Sequence, residues 1–277
     1  MNFMNNSNPI GVFDSGIGGL TVVKSLYSFL PNENIIYFGD TARVPYGSKS
    51  NATVIEYSLQ NAHFLSKKNV KLIVVACNTA SSIALEELRT KFNIPIIGMI
   101  EPGAQAAMQK TKNGKIGIIG TESTVSNKAY SKTLLNLNPN LNITEKACPL
   151  FVPLAEEGWI NHKATKLIAE EYLSELKEIG IDTLVLGCTH YPILKEVIQE
   201  VIGYNVTLID SGSAASVQVE KYLDGLGLKN KSNNLGTHSY YVSDVPKKFK
   251  SVAERFLGKQ IENIHKVNLE DLINGKK

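Results

Sequence analysis

Short apolar runs alternate with longer stretches of helical periodicity, and this alternation constrains the fold more than any other feature of the sequence. The apolar runs have the length of strands and lie at 10–13, 35–38, 72–76, 96–100, 115–119, 183–186 and 206–209. Helical patterns lie between them, most clearly at 53–68 and 164–179. Near-continuous apolar strands joined by helices indicate parallel sheets covered on both faces. The sequence therefore predicts an α/β fold whose ligand site lies at the carboxyl ends of the strands.

Three features of the first half recur in the same order in the second half. Segment 10–19 resembles 116–125, segment 72–81 resembles 183–192, and segment 94–107 resembles 206–216. The offset is roughly 110 residues each time, as expected of an internal repeat. A chain of 277 residues is also long enough for two domains. We therefore expect two similar doubly wound lobes with mainly parallel sheets, related by a pseudo-twofold axis, with the site in the cleft between them.

Charge and hydropathy exclude several kinds of partner. The net charge is only +3, which does not favour nucleic acid or an anionic membrane. We interpret the lysines at 247, 248 and 250 as a solvated helix face. No apolar run is long enough to cross a membrane, and the polar first residues do not resemble a secretory signal, so we expect a cytoplasmic protein. Its ligand should be small.

Two of the three cysteines stand at the same kind of position. Cys77 in VVACNTASS and Cys188 in GCTHYP each follow an apolar strand, at the point where a helix should begin. A helix N-terminus is expected to lower a thiol pKa, and its free N–H groups can bind a carboxylate. The polar residues that follow the cysteines are Asn78, Thr79, Thr189 and His190. Either cysteine alone is more simply a small buried side chain, but the matched pair favours two thiols facing one small zwitterion.

Other polar side chains also fall at predicted strand ends. Asp14 and Ser15 follow the first strand, and the loop after the second strand contains Asp40, Arg43, Tyr46, Gly47 and Ser48. The sequence leaves open whether Asp40 and Arg43 belong to a site or to an ordinary turn. It also leaves open whether Glu156 and Glu157 begin an exposed helix or face the cleft. Cys148 lacks such neighbours, and we interpret it as structural. No spacing predicts a metal site, a nucleotide-binding loop or a pyridoxal site.

The motifs DSGIGGLTV, DTARVPYG, ACNTAS, PLAE and GCTHYP resemble those of the glutamate racemases, in this order and over 10–216. The resemblance implies a cofactor-independent bacterial enzyme that interconverts L- and D-glutamate and supplies the D-isomer for peptidoglycan. It implies a homodimer of two-lobed subunits whose C-terminal segment returns to the first lobe. We accordingly expect 1–98 with 211–277 to form the first lobe and 99–210 the second.

The same resemblance assigns roles to individual residues. Cys77 and Cys188 match the two acid/base cysteines of the family, and Asp14 and His190 match the groups that assist them. The positions that match substrate-binding residues are Asp14, Ser15, Tyr46, Gly47, Asn78, Thr79, Thr189 and His190. Glu156 matches the carboxylate of the PLAE segment less securely, because Glu157 lies beside it. No metal ligand is implied.

Several alternatives remain at this stage. Aspartate racemases share the two-cysteine plan, although their motifs resemble CNTAH and CTE rather than CNTAS and CTHYP. Another two-thiol amino-acid racemase is a further alternative. A thiol hydrolase or transferase would use Cys188 as nucleophile and His190 as base, which leaves Cys77 unexplained. A binding protein would hold glutamate without inverting it. For a racemase, we also expect the lobes to close on the substrate and exclude water.

Overall fold

A computed structural model describes residues 5–245 and 249–273, and the described chain contains two parallel β-sheets. The strands are β1 (Ile10–Asp14), β2 (Ile35–Gly39), β3 (Leu72–Val75), β4 (Ile96–Ile97), β5 (Lys115–Gly120), β6 (Asn142–Ala147), β7 (Thr183–Gly187), β8 (Thr207–Asp210), β9 (His238–Val242) and β10 (Ile264–Lys266). The first sheet has the order β10-β9-β2-β1-β3-β4 and the second β6-β5-β7-β8, with every described pair parallel. The predicted α/β class is confirmed.

Helices cover the sheets and connect their strands. They are α1 (Leu20–Phe29), α2 (Asn51–Ser66), α3 (Asn78–Ile83), α4 (Leu85–Lys91), α5 (Ile100–Lys110), α6 (Glu122–Ser126), α7 (Ala129–Leu137), α8 (Phe151–Glu157), α9 (Lys163–Ile179), α10 (Lys195–Ile202), α11 (Ser211–Gly225), α12 (Phe249–Leu257) and α13 (Leu269–Ile273). Local sequence sets several ends: the Ser50 hydroxyl caps α2 by accepting from the Thr53 N–H, and Gly180 ends α9 in a left-handed conformation. None of the described helices is long and apolar enough to cross a membrane.

The internal repeat has a counterpart in the strand order. In the first sheet the order β2-β1-β3-β4 corresponds to β6-β5-β7-β8 in the second. The repeat pairs β1 with β5, β3 with β7 and β4 with β8, so the two cysteines follow corresponding strands. One apolar core runs through both halves of the molecule, from Ile10 and Leu20 to Leu186 and Tyr191. The carboxyl ends of the central strands of both sheets therefore contribute to one region.

The chain passes twice between the two halves. Helix α5 follows β4 of the first sheet but packs against α7 and β7, and α11 follows β8 of the second sheet but packs against α1. Strands β9 and β10 then extend the first sheet, and α12 packs on α1. The residues that join β4 to α5 and β8 to α11 are therefore the connections between the halves.

Some elements differ from the sequence expectation. The strand expected at 96–100 ends at Ile97, because α5 already begins at Ile100. Strand β6 was not predicted: its sequence NITEKA is polar and only partly buried, as an edge strand permits. The lysine run begins outside the described residues, which exclude Lys247 and Lys248, and Lys250 is exposed on α12.

Candidate active site

Residues from both halves line one cavity of about 250 Å³. Its walls are formed by Ser15, Pro45, Tyr46, Gly47, Ser48, Cys77, Asn78, Thr79, Thr121, Glu122, Pro149, Val152, Pro153, Cys188, Thr189 and His190. Most of these residues follow strands of the two parallel sheets, where ligands of α/β proteins bind. The structure thus brings both cysteines and the polar residue after each of them to the same cavity, as the repeat predicted.

Cys77 is the N-cap residue of α3. Its sulfur accepts a hydrogen bond from the Ala80 N–H at 3.4 Å and lies 3.6 Å from the Ser15 hydroxyl. We expected this position to lower the thiol pKa, and that expectation is wrong. Burial, followed by the nearby charge of Asp14, raises the pKa of Cys77 to about 12, and the Ala80 N–H only partly opposes it. Cys77 is therefore a neutral thiol at physiological pH.

Asp14 lies behind the cavity wall and is fully buried. One carboxylate oxygen accepts the Gly16 N–H at 3.0 Å. Burial raises the pKa of Asp14, while the positive charge of His190 and nearby backbone N–H groups oppose the rise. Among the residues that the structure describes, neither Asp14 nor Glu156 lines the cavity. Any effect of these two carboxylates on a ligand would therefore pass through their neighbours.

Cys188 belongs to a line of three side chains. Its sulfur lies 3.8 Å from His190 Nδ1, and His190 Nε2 lies 2.9 Å from a carboxylate oxygen of Glu156. Burial lowers the pKa of His190, but its hydrogen bonds to Cys188 and Glu156 outweigh burial and raise that pKa to about 10. At neutral pH His190 is therefore an imidazolium, with one N–H directed at the sulfur and the other at Glu156.

Helix α12 supports this line from the side of the first sheet. The Phe256 ring meets the His190 ring edge to face, with centroids 5.2 Å apart. Arg255 donates to the backbone carbonyl of Glu156 at 2.9 Å and to that of Ala155 at 3.3 Å. These two residues of α12 were missed by the sequence reasoning, because they are about 65–100 positions from their partners and carry no local motif.

Asp40 and Arg43 form a network behind Tyr46 rather than part of the cavity wall. Asp40 is fully buried and accepts hydrogen bonds from the Tyr46 hydroxyl, from Arg43 Nε at 2.8 Å and from the Ser243 hydroxyl at 3.0 Å. Asn61 donates to the Tyr46 hydroxyl at 3.0 Å. The network fixes the loop that carries Tyr46, Gly47 and Ser48 into the cavity.

Several cavity residues were not predicted. Thr121 follows β5, and its hydroxyl lies 2.9 Å from that of Thr79, so the two halves meet there. The repeat contained the signal for Thr121, because 116–125 aligns it with Ser15. Glu122, Pro149, Val152 and Pro153 complete the wall, and they had no signal of this kind. Cys148 is fully buried, and its thiol donates to the Lys146 carbonyl at 3.7 Å.

Within 5–245 and 249–273, no group of three or more His, Cys, Asp or Glu side chains is arranged to hold a metal ion. The cavity instead offers two thiols, hydroxyls, an imidazolium and the N–H groups at the start of α3. These groups suit a small ligand that carries carboxylates and an ammonium. The fold and the site together define a two-lobed α/β protein with paired thiols at a cleft for a small polar ligand.

Comparisons with known proteins identify the family. The family model "Asp/Glu/Hydantoin racemase" matches residues 21–219. A glutamate racemase of Geobacter metallireducens is 52% identical over 261 residues, which are 94% of this chain and 97% of the relative. One from Neisseria meningitidis serogroup A is 49% identical over 97% of this chain and 100% of its own. The chain therefore belongs to the Asp/Glu/hydantoin racemase family, and it is a racemase, an isomerase.

Solved structures agree with this assignment. Glutamate racemase from Francisella tularensis, in complex with D-glutamate, has a TM-score of 0.90 and 42% identity, covering 96% of this chain and 99% of its own. The RacE1 isoform from Bacillus anthracis has a TM-score of 0.92 and 37% identity with the same coverage. An aspartate racemase from Picrophilus torridus, at 16% identity and a TM-score of 0.61, shares the fold.

Proposed function

We propose that this racemase interconverts L- and D-glutamate by moving protons between Cα and the thiols of Cys77 and Cys188. The observation that carries the proposal is that one cavity is lined by one cysteine from each half, each following a corresponding strand. The glutamate racemases at about half identity and the related structure holding D-glutamate support glutamate as the substrate. The sequence motifs CNTAS and CTHYP favour glutamate over aspartate.

The reaction needs two acid/base groups, because the proton leaves one face of Cα and another proton arrives on the opposite face. One cysteine, as thiolate, takes the Cα proton, and the S–H of the other cysteine gives its proton to Cα. The reverse reaction exchanges these roles. The carbanionic transition state places charge on the α-carboxylate, where N–H groups at the start of α3 and nearby hydroxyls stabilise it. No cofactor takes part in this proposal.

The two thiols have different means of changing protonation state. Cys77 is held neutral by burial and by Asp14, so it is ready to donate a proton in the free enzyme. A bound substrate would bring its ammonium to this side, which lowers the cost of a thiolate at Cys77. Cys188 faces the imidazolium of His190, which can exchange a proton with the sulfur and is itself held by Glu156. Asp14 and His190 thus assist their respective cysteines.

The substrate contacts in this proposal come from residues on both sides of the cavity. They are Ser15, Tyr46, Gly47, Asn78, Thr79, Thr189 and His190, with Asp14 behind Ser15. Glu156 acts through His190, which explains why it need not touch the cavity. We also propose lobes of 1–98 with 211–277 and of 99–210, closure of the lobes on the substrate, a cytoplasmic homodimer, and D-glutamate for peptidoglycan as its product.

The test is circular dichroism of L-glutamate with purified protein in deuterated buffer, followed by mass analysis of the amino acid. We expect the signal to decay toward zero with one deuterium at Cα and with no added cofactor. Cys77→Ser and Cys188→Ser should each abolish racemisation, whereas Cys148→Ser, a change outside the cavity, should retain it. An unchanged signal with L-glutamate and decay with L-aspartate would instead establish an aspartate racemase.

One geometric feature also fits a thiol hydrolase. The line Cys188, His190 and Glu156 has the order of a nucleophile, a base and an orienting carboxylate. This second candidate leaves Cys77 without a role. A substrate ester that traps a covalent acyl group on Cys188, in a protein that does not racemise glutamate, would favour it.

A further inference from the structure

We infer that Ser211 is a positioning residue that fixes the separation of the Cys77 and Cys188 thiols across the cavity. The inference rests on the two-thiol reaction proposed above. Ser211 is the first residue of α11, where the chain passes from the second sheet back to the first half. It is almost completely buried and does not line the cavity, so any effect on the reaction must pass through other residues.

Ser211 belongs to a buried group that joins the two halves, which we call the crossover cluster: Asn78, Tyr130 and Ser211. The Tyr130 hydroxyl donates to Asn78 Oδ1 at 2.7 Å, and Asn78 Nδ2 donates to the Ser211 hydroxyl at 3.3 Å. The Ser211 hydroxyl donates in turn to the Leu186 carbonyl at 3.1 Å. All three side chains are buried. Each hydroxyl and the amide therefore has a defined direction of donation.

The two ends of this hydrogen-bond chain are adjacent to the two thiols. Asn78 directly follows Cys77, and Leu186 precedes Cys188 by two residues on β7 and its end. A shift of Ser211 relative to either partner would change the position of one cysteine relative to the other. Proton transfer to and from a single carbon depends on both sulfurs being placed within a fraction of an ångström, so such a shift would act on the chemical step.

The other connection between the halves meets the same cluster. Tyr130 also approaches the carbonyl of Met99, just before α5, at 3.5 Å. The Met99 N–H donates at 3.1 Å to the Ser81 hydroxyl, which donates to the Val75 carbonyl at the end of β3. A Cβ added at Gly103 would lie 3.0 Å from the Tyr130 ring, so α5 packs closely here. Both crossing points are thus tied to the strand and helix that present Cys77.

The crossover cluster also changes the role of Asn78. Resemblance made Asn78 a substrate-binding residue, but its side-chain oxygen and one N–H are already used within the protein. An asparagine side chain has two N–H groups, so only one remains for a ligand. Its larger contribution would then be to hold the start of α3 in place.

The experiment compares Ser211→Ala with Ser216→Ala. Ser216 lies on the same helix, is fully buried, and donates to the Gly212 carbonyl of its own helix at 2.9 Å. Both variants lose one buried hydroxyl, but only Ser211→Ala breaks the connection between the thiols. For glutamate racemisation we expect Ser211→Ala to lower kcat about 10- to 100-fold with KM within about threefold of wild type. Ser216→Ala should keep both constants near wild type.

A third variant tests whether the effect passes through Asn78. Tyr130→Phe removes the donor to Asn78 Oδ1 and should also lower kcat. Because Tyr130 and Ser211 share Asn78, the double variant should lose less than the product of the two single losses. This variant also keeps the inference open to refutation if Ser211→Ala does not fold.

A second measurement needs no turnover. In a Cys148→Ala background, dibromobimane becomes bridged and fluorescent when it alkylates both Cys77 and Cys188. We expect a lower bridging yield for Ser211→Ala than for Ser216→Ala at equal total alkylation. Equal kcat and equal bridging yield in the two variants would overturn the inference. A wild-type protein that is inert to glutamate would overturn the proposed function instead, and the bridging yield would still decide the role of Ser211.

Discussion

Replacing Glu156 with Gln removes the carboxylate that accepts a hydrogen bond from His190 Nε2. In the wild-type protein, burial lowers the pKa of His190, but its hydrogen bonds to Cys188 and Glu156 outweigh burial and raise that pKa to about 10. Gln keeps the size of the side chain and an oxygen acceptor but not the charge. The variant therefore isolates the charge of Glu156 from its packing, and His190 should lose its proton at a lower pH.

The size of the shift follows from distance and exposure. The carboxylate oxygen lies 2.9 Å from His190 Nε2, close enough for an opposite charge to raise a histidine pKa by about 1–3 units. The Glu156 side chain is 46% exposed, so solvent screening favours the lower end of that range. We expect the His190 pKa to fall by about one unit in Glu156→Gln.

Lowering the His190 pKa also changes how the stability of the folded protein depends on pH. A histidine whose folded pKa lies above its usual value of 6.5 contributes stability that is fully present below pH 6.5 and is lost as pH rises through about 10. In Glu156→Gln this loss should still begin near pH 6.5, but it should be smaller and be complete at lower pH. Activity that needs the imidazolium should show the same displacement on its alkaline side.

Two assays check the displacement. Racemisation followed by circular dichroism between pH 6 and 11, a range set by the usual and raised pKa values of histidine, gives the alkaline midpoint. Histidine-specific NMR, with His190→Asn to assign the signal, reports protonation directly. Glu157→Gln is the matched control, because it removes one charge from the end of the same helix, and it should leave both midpoints in place. A folded Glu156→Gln protein with an unchanged His190 midpoint would refute the role assigned to Glu156.

Three further substitutions test the surroundings of the site. Gly18→Ala should lower kcat/KM at least about tenfold, because the new Cβ would lie 2.3 Å from the Thr189 hydroxyl across the cleft; Gly225→Ala, with open space around it, is the control in the same assay. Asp40→Ala should lower the free energy of unfolding by about 3–5 kcal/mol in urea titrations, since it leaves the largely buried Arg43 guanidinium without its carboxylate partner. Cys148→Ala should retain kcat within about twofold and lose about 1 kcal/mol of stability, measured by activity and urea unfolding.

Most of the fold could be predicted from the sequence, because the strands of a parallel sheet are buried on both faces and form apolar runs. Strands β1, β2, β3, β5 and β7 were placed to within about a residue at each end, and the repeat anticipated the matching strand orders. Strand β6 escaped because it is an edge strand with a polar sequence. The repeat nevertheless implied its position, because the second half otherwise lacked a strand corresponding to β2.

The sequence also located both cysteines, but not their electrostatics. The local argument for Cys77 considered only the helix N-terminus, whereas its pKa depends on burial and on Asp14, which tertiary structure brings close. The residues of α12 that contact the site could not be predicted from the sequence, for a related reason. Arg255 and Phe256 meet Glu156 and His190 only after the C-terminal segment returns to the first half, and no local pattern encodes such contacts.

The two sides of the cavity are alike in geometry and unlike in charge. Corresponding strands present the two thiols, yet one faces a buried carboxylate and the other an imidazolium. This asymmetry is compatible with a reaction that favours neither enantiomer at equilibrium, because enantiomers have equal free energy in achiral solution. The values of kcat/KM for the two directions must therefore be equal in any variant, including one that damages a single side. In the proposed mechanism, the difference between Cys77 and Cys188 can appear only in two ways. The same kcat/KM can divide differently between kcat and KM in the two directions, and each thiol can exchange a different proton. In the proposed reaction, the unequal charges face a glutamate whose ammonium and carboxylates are themselves placed unequally around Cα.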